Sequence, residues 1–105
     1  MTKVAVMLAN GFEEIEALTV VDVLRRAGIL CDMIGFEKAV TGSHGIAVQA
    51  DKVWAGKLDD YELVVLPGGM PGATNLRDDD RLMSALQKMQ EEGKWIAAIC
   101  AAPIA

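Results

Sequence analysis

Trp95-Ile-Ala-Ala-Ile-Cys-Ala-Ala-Pro-Ile-Ala105 is the stretch on which the fold turns. Trp95 to Ile99 is a short apolar run of the kind a strand buried on both faces shows. Cys100 closes the run, Ala101 and Ala102 follow, and Pro103 suits the first turn of a helix, where a missing N–H is harmless. A cysteine between strand and helix lies at the positive end of a helix dipole, which favours the thiolate. Ala98 and Ala102 are both small, as a tight strand-to-helix elbow requires when it thrusts a nucleophile outward. The alternative is a small buried cysteine in an apolar strand. By itself this segment supports both.

Composition bounds the rest. The 105 residues suffice for one domain. Hydrophobic residues make up 52% and aromatics only 5%, so the core must be aliphatic and alanine-rich, as in α/β folds. No apolar stretch reaches membrane-spanning length, and Met1-Thr-Lys-Val4 runs straight into a strand, so no signal peptide and no membrane partner are expected. A net charge of −5 argues against nucleic acid. Two cysteines in apolar surroundings fit a reducing, cytoplasmic compartment, and a single histidine makes a structural zinc site unexpected.

Lys3 to Ala9 reads as a first, central strand, broken by Asn10-Gly11. A helix is predicted from about Glu13 to Ala27, with Gly28 just past its end. At 100° per residue, Ala17, Val20, Val21, Val23, Leu24 and Ala27 share one broad face. Glu16 projects into that face, Glu13 does too, and Glu14 lies at its border. All three acids suit a helix N-terminus, but Glu16 stands a little far in for that alone. Burial would favour its protonated form, able to donate a hydrogen bond.

Ile29 to Phe36 is a second strand, parallel to the first, with Cys31 as packing. Thr41-Gly-Ser-His-Gly45 is a turn whose His44 reads as a solvated loop histidine, and Ile46 to Ala50 alternates like a small edge strand or hairpin arm. Asp51 to Tyr61 reads as an irregular connection anchored by Trp54 and Leu58. Glu62 to Leu66 is a third main strand, running into Pro67-Gly-Gly-Met-Pro-Gly72. Glycines there let backbone N–H groups approach a ligand, although the pattern matches no nucleotide motif. After a turn around Asn75, a helix is predicted from about Asp79 to Glu92 with Leu82, Met83, Leu86 and Met89 inward, and Gly93 ends it. The outcome is a doubly wound parallel sheet. The Glu13–Glu16 turn, the Gly68-Gly69 loop and Cys100 all follow strand ends, so they should share the edge where such sheets bind ligands. The Trp95 strand has no crossover helix of its own, so either a complementary chain or a second copy is expected to cover it.

Gly11-Phe-Glu-Glu-Ile-Glu16, Val64-Val-Leu-Pro-Gly-Gly69 and Ala97-Ala-Ile-Cys-Ala-Ala-Pro103 resemble the ThiJ/PfpI family in order and spacing. The nearer likeness is to its small subgroup that includes the Parkinson-disease-associated protein deglycase. The resemblance implies a flavodoxin-like α/β domain related to class I glutamine amidotransferases, of which residues 1–105 would be the N-terminal part ending just after the nucleophile elbow. It implies a homodimer, a reactive Cys100, a protonated Glu16 bonded to that thiolate, and oxyanion donors from the amides of Gly69 and Ala101. It implies no metal and no organic cofactor. The activities it suggests are glyoxalase or deglycase chemistry on small reactive dicarbonyls such as methylglyoxal, with a role in oxidative stress. The alternatives are a non-enzymatic redox sensor or chaperone built on the same sulfur, and, below these, a cysteine peptidase needing a histidine that His44 does not supply.

Overall fold

A computed structural model describes residues 2–99. The fold grows from β1 (Lys3–Leu8), whose KVAVML sequence is apolar on both faces and almost wholly buried. Val4, Val6 and Leu8 point to one side, and Ala5 and Met7 to the other, as the two-residue period of a strand requires. Each of these valine, leucine and methionine side chains contributes about 1.5–3 kcal/mol when fully buried. β2 (Leu30–Gly35) and β6 (Leu63–Leu66) pair with β1 in parallel on either side.

Two helical layers cover the faces. α1 (Glu14–Arg26) lays Ala17 and Val21 over the Val4–Val6–Leu8 face. It ends as the sequence predicts, with Gly28 at φ +78° and the Ile29 amide bonded back to Leu24 O. α3 (Asp80–Glu91) opens on Asp79, whose side chain accepts from Leu82 N at 2.8 Å, and buries Leu82, Leu86 and Met89 on the opposite face. The arrangement is an α/β sheet wound on both sides.

Some expectations need correction. α1 does not bury all of its apolar arc: Val23 is 57% exposed, because the helix meets the sheet along a narrower stripe than its apolar positions span. Where a turn around Asn75 was expected, Gly72–Arg77 forms a short helix, α2, with Ala73 and Leu76 buried. The Asp51–Tyr61 connection is not wholly irregular. Its Lys52–Val53 pairs with β2 as a two-residue strand, β5. Trp54 and Leu58 are buried as expected, and Tyr61 donates to Asp32 at 2.7 Å. Residues 39–49 form a hairpin, β3 (Ala39–Thr41) against β4 (Ala47–Gln49), outside the main sheet.

The Trp95 strand also departs from its prediction. β7 (Trp95–Ala98) pairs with β6 at the sheet's edge, and Trp95 is 73% exposed rather than sealed on both faces. Among the described residues nothing covers its outer side. The sheet order is β5-β2-β1-β6-β7. From β1 the chain winds outward to β2 and then returns to β6 on the other flank. The switch in direction falls between β1 and β6, and the crevice beyond their carboxyl ends is where sheets of this kind bind ligands. No described helix is long and apolar enough to cross a membrane.

Candidate functional site

Two loops meet at that switch point. After β1 the chain passes through Gly11 (φ +90°) and buried Phe12 to Glu13, which caps α1 by accepting from Ile15 N at 3.0 Å. After β6 it passes through Pro67, Gly68 and Gly69 (φ +98°) into α2. The loops lie backbone on backbone. Glu13 N donates to Gly68 O at 2.8 Å and Gly72 N to Gly11 O at 3.2 Å. A Cβ on Gly69 would sit 2.5 Å from Glu13 N and 2.7 Å from Gly11 O. The glycine run is therefore required by close approach as well as by any ligand.

Glu16, in the first turn of α1, reaches across this junction, and its Oε1 accepts from Gly68 N at 3.0 Å. The sequence-predicted pair Glu16 and Gly69 is thus brought to one place. Among the described residues no hydrogen bond uses the Gly69 amide. Ile99, the last described residue, donates its amide to Leu66 O at 3.1 Å, at the strand end that leads into the glycine loop. Cys100 and Ala101, the expected nucleophile and second oxyanion donor, lie outside the described residues.

The acid that is truly buried is its neighbour. Glu14 is 4% exposed, whereas Glu16 is half-buried. Helical periodicity puts Glu14 at the border of the apolar face because that periodicity reflects only the side packed on the sheet. The β3–β4 hairpin covers the other side. Its turn donates His44 N and Ile46 N to Glu14 Oε2 at 2.8 and 3.2 Å, and His44 Nδ1 to Oε1 at 2.9 Å. Burial opposes ionisation of Glu14, but these bonds outweigh it and hold its pKa at about 2. The same carboxylate raises the pKa of His44 through its hydrogen bond and its charge. His44 is exposed, as expected of a loop histidine, yet it is not merely solvated.

The sign of each shift fixes the pH range in which the pair helps. Glu14's contribution is present above its ordinary 4.5 and is lost as pH falls toward about 2. The contribution of His44 is complete below its ordinary 6.5 and is lost as pH rises through its raised value. Glu13, Glu14 and His44 bring ligand atoms within 4.8 Å of one another, but three N–H donors already fill the Glu14 oxygens, so this is an ion pair rather than an open coordination site. Cys31 is buried and its thiol is pushed up by that burial, consistent with packing. A cavity of about 310 Å³ opens beside Asn10, Glu37 and Asp78; neither Glu16 nor Gly69 lines it.

The model of the DJ-1/PfpI family matches residues 2–105. The Parkinson disease protein 7 homolog of Danio rerio is 38% identical over 95% of the chain and 55% of its own length. A deglycase of Pyrococcus horikoshii is 32% identical over 96% of the chain and 61% of its own length. The solved structure of oxidized Toxoplasma gondii DJ-1 superposes with a TM-score of 0.92 at 42% identity, over 98% of this chain and 58% of that one. The chain spans from 24% to 61% of the length of the curated relatives it matches.

Proposed function

The chain belongs to the DJ-1/PfpI family, and from that premise we propose that it carries the nucleophile and the proton carrier of a cofactor-free enzyme acting on small reactive dicarbonyls such as methylglyoxal. The observation that carries this reading is the Gly68 N–Glu16 Oε1 bond at the β1/β6 switch point, with Gly69 in the same loop. The similarity to a protein named a deglycase supports the substrate class.

In the proposed reaction Cys100, as thiolate, attacks the aldehyde carbon and forms a hemithioacetal. Glu16 moves the proton from that carbon to its neighbour through an enediol, leaving a thioester. Water then cleaves the thioester, releasing lactate and regenerating the thiol. The amides of Gly69 and Ala101 hold the developing oxyanion. A carboxyl that accepts from Gly68 N through Oε1 is held in a fixed orientation, which a proton carrier needs. Residues 1–105 would be the N-terminal part of one α/β domain. The rest of that domain, or a second copy in a homodimer, would cover β7, in a cytoplasmic protein that answers oxidative stress.

The test is turnover by the purified protein. Methylglyoxal should be converted to lactate without added metal or organic cofactor, and a preparation with reactive Cys100 but no such conversion would sink the proposal.

A second reading is a redox sensor that uses the same sulfur. It is favoured by the similarity to a relative whose solved structure is described as oxidized. Mild peroxide should add two oxygens to Cys100 and leave buried Cys31 untouched, as peptide mass spectrometry would show. Equal oxidation of both thiols would remove this reading.

A further inference from the structure

The first turn of α1 is gripped from two sides by two acids two residues apart. Glu16 is held by the glycine loop through Gly68 N, and Glu14 by the hairpin turn through His44 and Ile46. The turn is itself rigid. Gly42 N bonds to Ile46 O at 2.9 Å, Ser43 N to Phe12 O at 2.8 Å, and Gly11 N to Thr41 O at 2.8 Å. Gly42 leaves room for the grip, since a Cβ there would collide with the Glu14 carboxyl. A continuous set of hydrogen bonds therefore joins the hairpin turn, the helix start and the loop that orients Glu16.

We propose that Glu14 is a positioning residue for the cysteine chemistry, setting the rotation of the first turn of α1 so that the Glu16 carboxyl meets Gly68 N, and that His44 governs how firmly it does so. This inference rests on the reading of Glu16 as proton carrier. An ionised Glu14 can only accept, so His44 Nδ1 donates to it. The groups facing that nitrogen are Glu14 Oε1 at 2.9 Å, Ser43 Oγ at 3.1 Å and Glu13 Oε1 at 4.0 Å. Misplacing a reacting group by about 1 Å costs on the order of 100-fold in rate, so a loosened first turn is expected to lower kcat and leave KM unchanged.

Glu14→Gln gives the grip an opposite pH dependence. Its carboxamide oxygen can still accept from His44 N and Ile46 N, while its NH₂ then faces Nδ1, which accepts only from a neutral imidazole. Relative to wild type, kcat of Glu14→Gln for methylglyoxal should be within about 2-fold near pH 8 and fall about 3-fold near pH 6, where a His44 that has lost its carboxylate partner is mostly protonated. His44→Ala should lose about 5- to 10-fold in kcat, and His44→Asn, which keeps a donor that does not titrate, should recover it. Hydrogen exchange at the Gly68 amide, which reports the bond to Glu16 directly, should quicken in Glu14→Gln near pH 6. A variant-to-wild-type ratio that is flat with pH, or a loss that merely tracks the unfolded fraction, overturns the proposal. Should Glu14→Gln fail to fold, the His44→Ala and His44→Asn pair decides, equal kcat in both overturning it. If wild type shows no turnover, the functional reading has failed. Gly68 exchange then still tests the coupling, and exchange unchanged in the folded variants overturns it.

Discussion

Cys100→Ser is expected to bring methylglyoxal turnover to background, and Glu16→Gln to lower kcat by about 10²–10⁴-fold, the range of general acid–base catalysis. The two losses have different causes. A serine hydroxyl is not ionised at neutral pH, so the thiolate nucleophile itself is gone. Glutamine keeps the oxygen that accepts from Gly68 N at 3.0 Å, so the α1 start and the glycine loop should keep their places. What it lacks is a proton it can give and take. The loss in Glu16→Gln should therefore appear in kcat, with KM little changed and the thermal midpoint close to that of wild type. Lactate formation followed against time for both variants checks this. Wild-type kcat in Glu16→Gln would remove the acid from the mechanism, and wild-type kcat in Cys100→Ser would remove the mechanism itself. The pH dependence separates Glu16 from Glu14, since loss of the proton carrier is not restored near pH 8.

What the sequence made legible follows from the range of the forces involved. β1, β2, β6, α1 and α3 are set by local periodicity and by caps such as Asp79 and Gly28, which a reader of the chain can see. The convergence of Glu16 and Gly69 was legible for a topological reason: both follow parallel strands and must reach the same edge. β5 was not legible, because Lys52–Val53 joins the sheet by backbone pairing alone with both side chains exposed. Nor was α2, whose Gly72-Ala-Thr-Asn-Leu-Arg77 sequence has weak propensity and is helical because Ala73 and Leu76 pack. The burial of Glu14 lay furthest out of reach. It depends on a turn 30 residues later folding back to supply His44, and neither residue signals the other in sequence. The histidine that reads as an unremarkable loop residue is one of the groups that tie the hairpin to the start of α1.

Gly69→Ala is expected to destabilise the protein by about 2–4 kcal/mol, the sum of about 1–3 for an alanine held at positive φ and about 1 for a lost backbone bond. Gly69 has φ +98°, and an added Cβ would meet Glu13 N at 2.5 Å and Gly11 O at 2.7 Å. Both are backbone atoms of the opposing loop, so no flexible side chain can swing aside. To relieve the contact the loops must part, which breaks the Glu13 N–Gly68 O bond. Gly28 isolates this effect. It also has positive φ, +78°, but a Cβ there would meet nothing within 4 Å, so Gly28→Ala should lose only the conformational part, about 1 kcal/mol. Urea unfolding of the two variants beside wild type measures the difference, provided the slope with denaturant is unchanged. If Gly69→Ala proves no less stable than Gly28→Ala, the two loops do not press together as described, and the rigid junction that holds Glu16 is not rigid. Parting the loops also moves Gly68 N away from Glu16, so Gly69→Ala should lose activity along with stability.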